Sequence, residues 1–179
     1  MSDTRERRSS AIEIRAKGRR LEGYAALFGI PAKIGGFTEM IAPGAFKDSL
    51  SNDILALLDH DPGRVLGRTR SGSLRLSEDT RGLHFDLDLP ETSHGRDVLE
   101  LATRGDLGGM SFGFEAANEH WTGHDFRELR SVRLHEISIV SSWPAYEGTI
   151  VNVRARSFSA LPVKLSLARR FLDTLGGER

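Results

Sequence analysis

The sequence predicts a β-rich α+β fold, and three observations carry that prediction. Short stretches of alternating apolar and polar residues recur along the chain, the clearest being Leu83-His84-Phe85-Asp86-Leu87-Asp88-Leu89. Turn-forming clusters such as Asp79-Thr80-Arg81-Gly82 and Asp59-His60-Asp61-Pro62-Gly63 punctuate them. Helical periodicity is confined to a few segments, without the regular strand-helix repeat of a doubly wound sheet. A barrel or sandwich of short strands with interspersed helices is therefore expected.

The elements follow in order. Residues 1–10 are polar and Arg-rich and read as a disordered tail. Ile12 and Ile14 alternate with Glu13 and Arg15 and start a first strand, and Leu21 to Phe28 form a second. Phe37 to Ile41 read as a short strand, and Ala45 to Leu50 as one or two helical turns after Pro43-Gly44. Ile54 to Leu58 are a continuous apolar run, hence a buried strand, stopped by the polar turn that holds His60. Leu74 and Leu76 belong to a strand that a turn at residues 79–82 joins to the strand Leu83–Leu89. Thr92 or Ser93 caps a helix reaching about Arg104, with Val98, Leu99 and Ala102 on one face and Gly105 at its end. Residues 108–114 read as a glycine-rich strand, 119–124 as a hairpin tip, 132–140 as a strand and 150–153 as a last strand. Residues 155–179 read as a polar linker and an amphipathic C-terminal helix, leaving residues 11–154 as the main domain.

The 179 residues suffice for one sizeable core. Lys plus Arg equal Asp plus Glu, so the formal net charge is zero and bulk electrostatics give no reason to expect a nucleic-acid or membrane partner. The chain has no cysteine, which excludes disulfides, cysteine nucleophiles and thiolate metal sites. No apolar run has the length of a membrane span and no secretory leader is visible, so a soluble protein of a reducing cytoplasm is expected.

Ser111 lies in Gly108-Gly109-Met110-Ser111-Phe112-Gly113-Phe114, where alternation sends Met110, Phe112 and Phe114 to one face and Ser111 to the other. The glycines leave clearance for a close backbone or substrate. Gly109 to Gly113 also match G-x-S-x-G, which in α/β-hydrolases marks a strand-to-helix elbow; here a strand pattern follows the serine, against that reading. A serine needs an adjacent base to become a nucleophile, and His60 is the candidate. Adjacent on one strand, His135 and Glu136 face opposite ways, and a carboxylate there could fix the His60 tautomer. Both faces of that strand look apolar, so alternation does not choose between them. His120 and His124, spaced H-x-x-x-H with Asp125 following, lack an obvious third metal ligand, and no metal or cofactor is expected.

The ordered blocks Gly23-Tyr24-Ala25-Ala26-Leu27-Phe28, Ile41-Ala42-Pro43-Gly44-Ala45-Phe46, Leu57-Leu58-Asp59-His60-Asp61, Gly108 to Phe114, Leu134-His135-Glu136-Ile137-Ser138-Ile139-Val140 and Pro144-Ala145-Tyr146 resemble the prohead proteases of tailed phages over roughly residues 12–154. The resemblance implies a serine endopeptidase with a herpesvirus-protease-like β-barrel surrounded by helices. It implies action inside the procapsid, in the host cytoplasm, on a scaffold protein or the scaffolding segment of the major capsid protein, and on the enzyme itself. On matching positions Ser111 is the nucleophile, His60 the base and Glu136 the third member. Herpesvirus proteases use a second histidine in that role, which makes His135 the rival. Neither a nucleic-acid nor a membrane partner is implied, and a homodimer stays open. The loop Val140-Ser141-Ser142 is a candidate source of oxyanion-binding amides. Two other functions are weighed: an inactive capsid-assembly or scaffold-binding module that keeps the fold, and a small-molecule esterase, which requires a helix after Ser111.

Overall fold

The computed structural model describes residues 5–10 and 14–141. The expected strand at residues 150–153 and helix within 155–179 lie outside these residues, as does most of the loop expected at 141–144. The described strands form two sheets. The larger has the order β1 (Glu6–Ser10), β10 (Gly109–Thr122), β11 (Phe126–Val140), β5 (Phe37–Ile41) and β4 (Ala32–Ile34). In this sheet β6 (Leu55–Leu58) also pairs with β11, and β7 (Asp61–Arg68) pairs with β6. The smaller has the order β2 (Ile14–Lys17), β3 (Arg20–Leu27), β9 (Gly82–Asp88) and β8 (Leu74–Glu78). The β-rich prediction is met; among the described residues no strand pairing closes the sheets into a ring. Their helical content is one α-helix, α1 (Ser93–Arg104), and two short 3-10 turns.

The two sheets meet over one core. Leu21, Ala25, Phe85 and Leu87 from the smaller sheet are fully buried, as are Met110, Phe114, Leu129 and Leu134 from the larger to within a few per cent. Phe112 packs edge-on against Phe46 at 5.4 Å between centroids, and Phe46 stacks on Phe28 at 6.2 Å. The spacing of Met110, Phe112 and Phe114 sets this up, since alternate residues of a strand share a face. Helix α1 begins where Thr92 accepts the Gly95 N–H on its hydroxyl and ends at Gly105 in the left-handed region, as its sequence predicts. Val98 is its buried anchor, with Leu99 and Ala102 packed against the core.

Two local expectations change. Residues 6–10, read as part of a disordered tail, form β1 antiparallel to β10, with Arg8 opposite Phe112 and Ser9 opposite Ser111. No apolar side chain signals this strand, because it is held by ladder hydrogen bonds and ion pairs: Arg8 to Glu39 at 2.6 Å and Glu6 to Arg127 at 2.6 Å. Pro62 and Gly63 do not end the strand pattern either. Strand β7 starts at Asp61, and its register steps from Leu58 opposite Asp61 to Leu57 opposite Val65, so residues 62–64 are absorbed in a bulge.

Strand β11 organises the larger sheet. It pairs antiparallel with β10 along most of its length, and in parallel with β5 through residues 126–129 and with β6 through residues 136–139. The strand that leads to His60 and the strand that carries Ser111 therefore flank the same stretch of β11.

Candidate active site

Three strand segments supply the site. Ser111 on β10 lies directly opposite Ser138 on β11, and Gly113 directly opposite Glu136. Residues two apart on a strand share a face, so Ser111, Gly113, Glu136 and Ser138 form one patch of the sheet. Strand β6 runs beside residues 136–139 and delivers His60 at its far end.

His60 sits in an unusual backbone. Asp59 and His60 form a two-residue connection between β6 and β7 with φ of 52° and 59°. Positive φ at both central residues matches the twist of a hairpin, and Asp and His tolerate it better than most residues. The turn is tied to the end of β11: the Asp59 N–H donates to the Ile139 carbonyl at 2.9 Å, and its carboxylate accepts the Ser141 N–H at 2.8 Å and the Ser141 hydroxyl at 2.7 Å. The Ser141 amide, one candidate for holding an oxyanion, is thereby engaged by Asp59; Ser142 lies outside the described residues.

The His60 ring meets Glu136, with Nδ1 2.6 Å from Oε1. The other carboxylate oxygen of Glu136 accepts the Ser138 hydroxyl, and Arg7 Nε stands 3.9 Å from Oε1. Burial pushes the Glu136 carboxyl up, but the hydrogen bonds from His60 and Ser138, with the nearby charges of His60 and Arg7, outweigh it and hold the group below its ordinary value. Such a carboxylate stays ionised at neutral pH and fixes the facing ring nitrogen as the protonated one.

Gly113 makes this contact sterically possible. A Cβ at this position would lie 2.7 Å from Glu136 Oε1 and 3.0 Å from its Cγ. The glycine gives the carboxylate room to lie across β10 toward His60. Neither Gly113 nor Ser138 stood out in the sequence as a member of the site; both lie in blocks it singled out, but only the strand register shows whom they face.

Ser111 is 1% exposed, and its hydroxyl donates to the Arg8 carbonyl oxygen of β1 at 2.7 Å. His60 and Glu136 are thus brought into direct contact, while the Ser111 hydroxyl is engaged by β1. His135 is placed differently from Glu136. The register steps from Gly113 opposite Glu136 to Phe114 opposite Leu134, leaving His135 as the extra residue of a bulge. Its Nε2 is buried and stands 3.1 Å from Glu115 Oε1 without an aligned hydrogen bond. His120 lies opposite Glu128 near the tip of the β10–β11 hairpin, and among the described residues no three His, Asp or Glu side chains gather as a metal site. Strand β10 continues eleven residues beyond Ser111 to Thr122, so no nucleophile elbow exists and the esterase reading loses its structural requirement.

The comparisons with known proteins agree with this architecture. The fold is similar to that of the bacteriophage T4 capsid assembly protease, gp21, whose structure superposes with a TM-score of 0.53 over 76% of this chain and 95% of that one, at 13% sequence identity. No curated protein sequence matches the chain. The family model for the caudovirus prohead serine protease matches residues 6–163, and the chain belongs to that family.

Proposed function

We propose that this chain is a serine endopeptidase of phage procapsid maturation in which Ser111 is the nucleophile, His60 the general base and Glu136 the residue that orients His60. The observation that carries the assignment is the 2.6 Å contact between His60 Nδ1 and Glu136 Oε1 on the sheet face that Ser111 shares. With Nδ1–H held by the carboxylate, the lone pair of Nε2 is free to take the Ser111 proton as the hydroxyl oxygen adds to a peptide carbonyl. His60 then returns the proton to the leaving amine, the acyl-enzyme forms, and water attacks it with His60 again as base. Glu136 stabilises the imidazolium in both steps without itself being protonated.

The substrates in this reading are a scaffold protein or the scaffolding segment of the major capsid protein, and the enzyme itself, inside the procapsid in the host cytoplasm. The T4 neighbour's description as a capsid assembly protease supports that setting. The same reading keeps the barrel arrangement of herpesvirus proteases and a protease domain that runs to residue 154, its start moved from residue 11 to take in β1, with residues 155–179 as a linker and amphipathic helix. The test is an activity-based fluorophosphonate applied to the purified chain together with its scaffold partner. Adduct on Ser111 and loss of scaffold cleavage in parallel are expected; undiminished cleavage by fully labelled protein would sink the assignment and favour the inactive-module alternative.

Two variants probe the supporting geometry. In Gly113→Ala the added methyl forces the Glu136 carboxylate off His60, while the core on the other face of β10 is untouched. A misplacement of about 1 Å in a catalytic group costs on the order of 10²-fold in rate. Turnover is expected to fall by that order with the unfolding midpoint little changed; unaltered turnover would show that the carboxylate has other room.

Acid should also weaken the fold through Glu136. Its folded-state pKa lies below the ordinary carboxylate value, so its contribution to stability is complete above that value and is lost as pH falls through the lowered one. Denaturant titrations from neutral pH to below about pH 4 are expected to show the parent losing more stability than Glu136→Gln. Parallel acid profiles would contradict the assigned direction.

A further inference from the structure

Strand β1 combines features that an ordinary edge strand does not. It lies antiparallel on the free edge of the strand that carries Ser111, and its Arg8 carbonyl takes the Ser111 hydroxyl at 2.7 Å. Ser111 is left 1% exposed, so an external peptide carbonyl cannot reach it while β1 is seated. The sequence of β1, Glu6-Arg7-Arg8-Ser9-Ser10, contributes no apolar side chain to the core. It therefore lacks an apolar anchor of its own, the largest contribution that usually fixes a strand in place, and meets the core through the Arg8 guanidinium, which lies over the Phe114 ring 5.3 Å from its centroid.

Besides its ladder with β10, what holds β1 is charge. Glu6 and Arg8, two apart and on the face away from Ser111, enter a half-buried ionic pocket. Arg127, 6% exposed, donates to both Glu6 oxygens at 2.6 and 2.8 Å. Glu39, 3% exposed, accepts from Arg8 at 2.6 and 2.8 Å. Arg127 also donates to Glu39 at 3.0 Å and to Glu119 at 2.6 Å, so the pocket keeps its charges paired when β1 is gone. A pocket already neutralised from within can exchange one occupant for another without stranding a buried charge.

We propose that β1 occupies the substrate's place: the peptide substrate docks as an extended strand antiparallel to residues 110–114, in the position of β1, with an acidic side chain received by Arg127 and, two residues later, a basic side chain received by Glu39. The main-chain ladder supplies register, as in other recognition by strand addition, and the ionic pocket supplies selectivity. The peptide presents the carbonyl of its basic residue to the Ser111 hydroxyl, as Arg8 does. Substrate and β1 then exclude each other, and the strength of the β1 ion pairs sets how often the site is open. This inference rests on Ser111 being the nucleophile.

The full-length chain carrying Arg8→Glu tests it. The substitution sets a carboxylate against Glu39 and leaves the pocket and the site residues in place. The rate of fluorophosphonate labelling at Ser111 is expected to rise by about tenfold or more, because a like-charge juxtaposition strongly disfavours a docked segment. An acetylated, amidated peptide of residues 5–11 should slow labelling of the variant; the same peptide with the residues at positions 6 and 8 exchanged should not. Glu6→Gln, a milder change that keeps the Arg8–Glu39 pair, supplies the same comparison should Arg8→Glu not fold. Labelling in the folded variants that is unchanged or slower than in the parent shows β1 to be a fixed strand and overturns the proposal. Equal competition by both peptides overturns the charge selectivity. Absence of labelling at Ser111 in every form removes the nucleophile assignment itself, a result distinct from equal labelling in all forms.

Discussion

Ser111→Ala is expected to fold like the parent and to lose cleavage of its scaffold partner by about 10⁴- to 10⁶-fold, the range seen when the nucleophile of a serine triad is removed. The stability cost is small by comparison. Alanine fills nearly the same volume, and the lost hydrogen bond to the Arg8 carbonyl is worth about 1 kcal/mol net. The decisive comparison is therefore between cleavage assays and unfolding curves of the same preparation. Normal processing by well-folded Ser111→Ala would require a different nucleophile, and Ser138, directly opposite on β11, is fully buried and donates to Glu136.

Glu136→Gln carries the second large effect. The amide keeps the shape of the carboxylate but cannot stabilise a cationic imidazole, and it can turn its NH₂ toward His60 Nδ1 and so select the wrong tautomer. The corresponding change in a serine triad lowers kcat by about 10⁴-fold, and a loss of about 10³- to 10⁴-fold is expected here. His135→Ala should leave turnover near that of the parent, because His135 approaches Glu115 rather than His60. Measured at equal folded concentration, a loss confined to His135→Ala would transfer the third role to the histidine.

The sequence made the β-rich class legible because its signals are local. The alternation at residues 83–89, the turn at 79–82 and the capped helix from Ser93 to Arg104 all appear where the pattern puts them. The choice between His135 and Glu136 was not legible from the pattern, and the reason is physical: the bulge at His135 breaks the alternation that would have assigned faces. Strand β1 was hidden because its cohesion comes from residues about thirty and 120 positions away. Gly113 and Ser138 needed the β10–β11 register before a clearance and a hydrogen bond could be seen in them. His60 was legible as a turn histidine; its left-handed backbone and its tether through Asp59 to Ser141 were not.

The double pairing of β11 has one more consequence. This strand carries Glu136, pairs on one side with the strand that bears Ser111, and pairs on the other with the strand that ends at His60. Ser111 and Glu136 are thus indexed to a single hydrogen-bonded spine, and His60 sits on a two-residue turn that Asp59 ties to the end of the same spine. The alignment of the proposed catalytic groups therefore depends on the pairing of β11 with both neighbours, so heat or denaturant should extinguish cleavage and fold of the parent chain at a single midpoint.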